Sequence, residues 1–141
     1  MFKSNHYKLK VYSNAVNTND KPCFFILNKG LNSGRPSILP CRNCFVVKAE
    51  TEAERDAIYW LTYAAWQTKK FMPYIKGSVI PYLTTADTKM VLDECLSHLN
   101  HLNLKHKIKT FKAVQEKEAL LKLQLEKFGE LKIAIAATML K

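Results

Sequence analysis

Lys76-Gly77-Ser78-Val79-Ile80-Pro81-Tyr82-Leu83-Thr84-Thr85-Ala86-Asp87 sets three structural instructions in one short run. Gly77 and Ser78 supply a turn, Val79 and Ile80 begin an apolar strand-like run, and Pro81 limits it. Thr84 or Thr85, with Asp87 behind them, reads as a helix N-terminus, where a hydroxyl accepts from a free backbone amide. That order predicts a chain that turns tightly, crosses a core and launches a helix.

Upstream of this stretch the chain first has strand character. Tyr7-Lys8-Leu9-Lys10-Val11-Tyr12 alternates with period two, Cys23-Phe24-Phe25-Ile26-Leu27 is a continuous apolar run, and Cys44-Phe45-Val46-Val47 is a third strand ending at Lys48. Asn14 to Pro22 is a polar connection, and Asn28 to Pro36 is turn chemistry with two glycines. Thr51-Glu52-Ala53-Glu54 then reads as a capping box. It opens a helix whose face is Ala57, Ile58, Leu61, Ala64, Ala65 and Thr68, ended by Pro73. A second helix carries Val91, Leu92, Cys95, Leu96, Leu99 and Leu102 as its apolar stripe.

From about Lys105 to Leu140 there is no proline and one glycine, Gly129. A heptad places Val114, Leu121, Phe128 and Ile135 on one line, and Phe111, Glu118, Leu125, Lys132 and Met139 on the other. Phe111, Val114, Leu121, Leu125, Phe128 and Ile135 are therefore the candidate contacts of a helix that pairs with a second copy or with another protein. The two charges argue against a self-sufficient parallel coiled coil. The expected fold class is α+β: a small twisted β-sheet in the N-terminal half packed with two helices, followed by a long C-terminal helix. The expected division is 1–104 for the α+β domain and 105–141 for the helix.

At 141 residues and 48% hydrophobic content the chain can bury a core without disulfides. No apolar run reaches membrane-spanning length, and the N-terminal Met1 to Lys8 has no apolar core of a signal peptide. A cytoplasmic protein is expected. The net charge of +10 is uneven. Residues 1–48 hold eight basic side chains against Asp20 alone, 49–100 hold five against seven acids, and 101–141 hold nine against four. Basic ends of this kind attract polyanions such as nucleic acid, or else form a lysine-rich solvated surface.

Catalytic signatures are missing: there is no nucleophile elbow, no metal-binding His-Glu-x-x-His and no Walker or dinucleotide glycine loop. The chain reads as a non-enzyme that needs no cofactor. Cys41-Arg42-Asn43-Cys44 has the spacing of half a zinc site, which His98 and His101 would have to complete; otherwise these are ordinary reduced cysteines. Lys29-Gly30-Leu31-Asn32-Ser33-Gly34-Arg35 is either a plain hairpin loop or one whose freed amides and cations meet phosphates. Tyr59, Trp60, Tyr63 and Trp66 have helical spacing, which suits core packing better than base stacking. The DNA-contact candidates are Lys29, Asn32, Ser33, Arg35, Arg42, Lys69, Lys70, Lys76 and Ser78.

In order, Lys29-Gly30 to Gly34, Asn43-Cys44-Phe45-Val46-Val47, Ile58-Tyr59-Trp60-Leu61 and Gly77-Ser78-Val79-Ile80-Pro81-Tyr82-Leu83-Thr84-Thr85-Ala86-Asp87 resemble part of a known domain. It is the target-recognition domain of type I restriction–modification specificity subunits, over about residues 24–91, with the 105–140 helix placed like that family's spacer helix. The chain also resembles a group of short bacterial proteins linked to mobile elements. The first resemblance implies duplex DNA as partner, read by a non-enzymatic subunit that pairs through its spacer helix. A protein-interaction adaptor that keeps the scaffold without DNA binding is the alternative.

Overall fold

The computed structural model describes residues 6–99 and 101–141. Met1 to Asn5, and the His101 and Leu102 side chains expected in a zinc site and in a helix stripe, lie outside the described residues. The fold is α+β, with a four-stranded antiparallel sheet packed with two helices and then a long C-terminal helix. Two compact units result, Met1–His101 and Leu102–Lys141.

In the first unit the strands are β1 (Tyr7–Val11), β2 (Cys23–Leu27), β3 (Pro36–Ser37) and β4 (Cys44–Ala49), in the spatial order β1-β4-β2-β3. Both β1 and β2 run antiparallel to β4, so the 12–22 connection crosses over the strand between them. Period-two alternation divides each strand between two faces. Phe24, Ile26, Phe45, Val47 and Ala49 enter the main core, while Phe25, Cys44 and Val46 face the other way beneath Tyr12, Val16, Cys23 and Cys41. The central strand is therefore buried on both faces. Two-residue β3 lies in what the sequence marks as turn, and its Pro36 sits at the sheet edge, where a missing donor costs least.

Helix α1 (Glu52–Gln67) starts with the expected capping box, in which Thr51 Oγ1 accepts from the Glu54 amide at 3.2 Å and the Glu54 carboxylate accepts from the Thr51 amide. Its buried side chains are Ala57, Ile58, Thr62 and Ala65; Thr68 is exposed. Thr62 takes the core position because its hydroxyl donates to the Ile58 carbonyl at 2.7 Å, so no polar group is stranded. Helix α2 (Thr85–Ser97) is capped by Thr84, whose Oγ1 accepts from the Asp87 amide at 3.1 Å. It buries Thr88, Val91, Leu92 and Leu96. Tyr7 ties β1 to α2, its hydroxyl donating to Asp93 Oδ1 at 2.7 Å.

The run Val79-Ile80 does not cross the core. Residues 76 and 82 pair instead, Lys76 amide to Tyr82 carbonyl at 2.9 Å and the reverse at 2.8 Å, closing a tight loop. Val79 stands 89% exposed and Ile80 62% exposed at its tip. Gly77 makes this turn with φ +92, where an added Cβ would sit 2.5 Å from the Ile80 carbonyl oxygen. The apolar composition reads as strand; the backbone pairing overrides it.

Helix α3 (His101–Met139), 39 residues long, makes up nearly all of the second unit. Three of its neighbouring charge pairs or caps are internal: Lys122 with Glu118 at 2.8 Å, Lys127 with Glu130 at 2.8 Å, and the Thr138 hydroxyl on the Ile135 carbonyl. Among the described residues no helix is long and apolar enough to cross a membrane.

Candidate functional site

One end of the α+β unit gathers most of the basic side chains singled out above. The 28–35 loop between β2 and β3 is a fastened hairpin: the Gly34 amide donates to the Leu27 carbonyl at 2.7 Å and the Arg35 amide to the Asn32 carbonyl at 3.0 Å. Gly34 needs to be glycine, because at φ +96 a Cβ would lie 2.5 Å from the buried Phe71 ring. The 76–82 loop docks on this hairpin, with the Gly30 amide on the Pro81 carbonyl at 2.8 Å and the Leu83 amide on the Asn28 carbonyl at 2.9 Å. Lys29 and Lys76 thereby flank Tyr82, and Ser78 lies in the same loop.

Beside them a recess of about 230 Å³ is lined by Leu31, Asn32, Ser33, Trp66, Gln67, Lys69, Phe71, Met72 and Ile75. The Arg35 guanidinium lies over the Trp66 ring, 5.4 Å from its centroid. Lys69 has φ 61, the left-handed region that favours glycine. It is the turning residue of the α1 C-terminus, with its amide on the Trp66 carbonyl and the Lys70 amide on the Ala65 carbonyl. Asn32 and Lys69 thus line the recess, Arg35 lies against Trp66 on its wall, and Lys29, Lys76 and Ser78 belong to the two loops that dock on each other. Lys29, Arg35 and Lys69 have no carboxylate partner among the described residues.

The remaining candidates go elsewhere. Ser33 is buried, and its hydroxyl donates to the Gly30 carbonyl at 2.7 Å, so it fastens the loop. Lys70 pairs with Glu94 at 3.6 Å. Arg42 lines a separate recess with Tyr12, Ser13, Asn14, Pro40 and Cys41. Lys76 is near Asp87, 3.0 Å away; the Thr84 hydroxyl first and Lys76 second hold that carboxyl below its usual range. The sequence also failed to mark the apolar members of this surface. Leu31, Met72, Val79 and Ile80 are all exposed, and only Gly30 beside Leu31, Pro73 beside Met72 and Gly77 before Val79 hinted that they lie outside regular elements.

The cysteine pair is held by the backbone. Cys44 Sγ donates to the Cys41 carbonyl at 3.0 Å, and burial pushes its thiol up to about 11, which opposes a metal-binding thiolate. Among the described residues no group of three or more His, Cys, Asp or Glu side chains converges, and His98 is the exposed C-cap of α2. The aromatic series on α1 forms a chain of ring contacts, Tyr59–Trp60 at 5.2 Å, Trp60–Tyr63 at 5.8 Å and Tyr63–Trp66 at 5.7 Å. On α3, Phe111 is half-buried, whereas Val114, Leu121, Leu125, Phe128 and Ile135 are exposed.

Residues 9–138 match a family of unknown function, DUF6943. The chain belongs to this family. No curated protein and no solved structure matches it. Family membership thus spans both units and carries no activity with it.

Proposed function

We propose that this DUF6943 protein is a non-enzymatic, cytoplasmic DNA-binding protein that uses the loop end of its α+β unit and assembles through α3. The observation that carries the reading is that three separate segments of chain bring cations close together: Lys69 lines a recess with Asn32, Arg35 lies over Trp66 on the wall of that recess, and Lys29 and Lys76 both pair with Tyr82. Lysine and arginine contacts to phosphate give affinity, and Asn32 on the loop is the side chain suited to a base edge. Lys69 adds to the case. A glycine there would relieve about 1 kcal/mol of backbone strain, yet the position holds a cation lining the recess. The resemblance to restriction–modification target-recognition domains supports the same ligand, and the net charge of +10 supplies a field of the right sign.

Fluorescence anisotropy on labelled duplex DNA tests this. Binding should weaken by at least about tenfold between about 50 and 200 mM salt and disappear in Lys29→Glu/Lys69→Glu. Lys69→Gly should stabilise the fold while weakening binding. No binding by micromolar protein at about 50 mM salt overturns the proposal.

A second reading, the protein-interaction adaptor, has its own observation. Leu31, Met72, Val79 and Ile80 stand exposed at the recess and on the docked loop, more apolar than a phosphate-contacting face requires. Val79→Asp/Ile80→Asp separates the two: it abolishes docking of a protein partner, whereas salt-sensitive DNA binding survives.

A further inference from the structure

We infer that α3 pairs with α3 of a second copy of this chain in antiparallel orientation, with Glu118 of each copy beside Lys132 of the other. The inference rests on the reading of α3 as the assembly element and adds the partner, the orientation and the register.

The helix advances about 100° per residue, so Val114, Leu121, Leu125, Phe128, Ile135 and Met139 fall within about 40° of one line along it. All six are exposed, over a length of about 37 Å. An apolar stripe of that kind is covered when a like helix lies along it. Two charges interrupt it, Glu118 and Lys132, placed symmetrically seven residues before and after Leu125.

The charges decide the orientation. In a parallel pair each core position meets itself, so Glu118 would face Glu118 and Lys132 would face Lys132. The flanks would also clash, because Lys117 would lie against Lys122 of the second copy. In an antiparallel pair, Leu125 packs against Phe128 of the second copy. The neighbouring layers are then Leu121 with Lys132, Glu118 with Ile135, and Val114 with Met139. Glu118 and the opposing Lys132 occupy adjacent layers, about 4.5 Å apart along the axis. Two-fold symmetry makes the contact twice. On the flanks Lys122 passes Gly129 and Lys117 passes Thr138, with no like charges opposed. Val114, Leu125, Phe128 and Met139 meet apolar counterparts, Leu121 and Ile135 lie against the aliphatic stems of Lys132 and Glu118, and the charges that oppose the parallel form favour this register.

Sedimentation equilibrium of the full chain tests it, with Glu118→Lys, Lys132→Glu and the double exchange. The native chain should be a dimer. Each single exchange sets like charges together at both contacts and should weaken association by about tenfold or more. The double exchange restores opposite charges and should return affinity to within about threefold of the native chain. Glu118 and Lys132 are exposed positions on a helix, and Glu118→Lys also breaks the internal pair with Lys122. Circular dichroism of each variant is therefore read at a protein concentration where it is dimeric, and helix content should stay close to native there. A native monomer at about 100 µM overturns self-pairing and leaves the assembly reading only with a different protein as partner. A native dimer indifferent to the single exchanges overturns the antiparallel register alone.

Discussion

Phe45 and Phe128 are both aromatic side chains on regular elements, and the two units treat them oppositely. Phe45 is 2% exposed between the sheet and the helices, whereas Phe128 is 65% exposed on α3. The difference extends to polar groups. In the α+β unit the buried hydroxyls of Ser33 and Thr62 and the phenol of Tyr7 each have a named acceptor, and both α1 and α2 are capped by a threonine. On α3 the charge pairs are local and the apolar stripe stays open to solvent. An element that completes its own core folds by itself, while one that exposes a continuous stripe gains stability from whatever covers it. Denaturation of the first should therefore be independent of protein concentration, and helix formation in the second should depend on it.

The largest effect expected is at Gly34. Gly34→Val forces a β-branched residue into positive φ and drives its Cβ into the Phe71 ring, for a loss of about 3 kcal/mol or more. Urea unfolding followed by tryptophan fluorescence reads it, since both tryptophans lie on α1. The shift should be the same at low and high protein concentration. A concentration-dependent shift would break the comparison, because it would make the α+β unit rely on association.

A smaller effect sits on the second face of the sheet. Burial raises the Cys44 thiol from its ordinary value of 9.0 to about 11. The folded state therefore holds its proton more tightly than the unfolded chain. The stability this represents is complete below pH 9.0 and is lost as pH rises towards 11. Burial and then the Asp93 hydrogen bond push the Tyr7 phenol up as well, so Tyr7→Phe removes one competing alkaline transition. In that background the urea midpoint should fall between pH 9 and 10.5, and adding Cys44→Ala should make the fall shallower, with the Cys23 and Cys95 thiols and the Tyr59 phenol, also pushed up by burial, supplying the remainder. An equally steep decline without the thiol would show that the second face contributes little to it.

Much of the first unit was legible because its signals are local. Alternation along Tyr7–Val11 and Cys44–Ala49, the apolar run of Cys23–Leu27 and the Thr51–Glu54 box all act within a few residues. What escaped depends on distant chain. Val79 and Ile80 have the composition of a strand, and only the Lys76–Tyr82 backbone pair turns them outward. Thr62 outranks Thr68 because of which side of α1 meets the sheet, a matter of packing. Among the candidate contacts, Lys29, Asn32, Arg35, Lys76 and Ser78 lie on two loops that fasten to each other, Lys69 lines a recess with Asn32, and Arg42 faces a different recess. Sequence supplied the residue types; the loop-to-loop hydrogen bonds chose among them.

The smallest effect compares two glycines. Gly34 is required by the ring above it, but Gly129 lies in the interior of α3 with nothing within 4 Å of an added Cβ. Gly129→Ala should therefore favour the helix by about 1 kcal/mol, since alanine loses less backbone entropy and clashes with nothing in its own chain. If α3 pairs in the antiparallel register, position 129 passes Lys122 of the second copy, whose flexible stem has room for a methyl group. Helix content by circular dichroism should then rise and association should tighten by up to about tenfold. The urea midpoint of the α+β unit should stay where it was. A Gly129→Ala chain that associates more weakly would mean that the close approach of another backbone requires the glycine. That outcome would move the helix contact from the Leu125–Phe128 line to the face that carries Gly129.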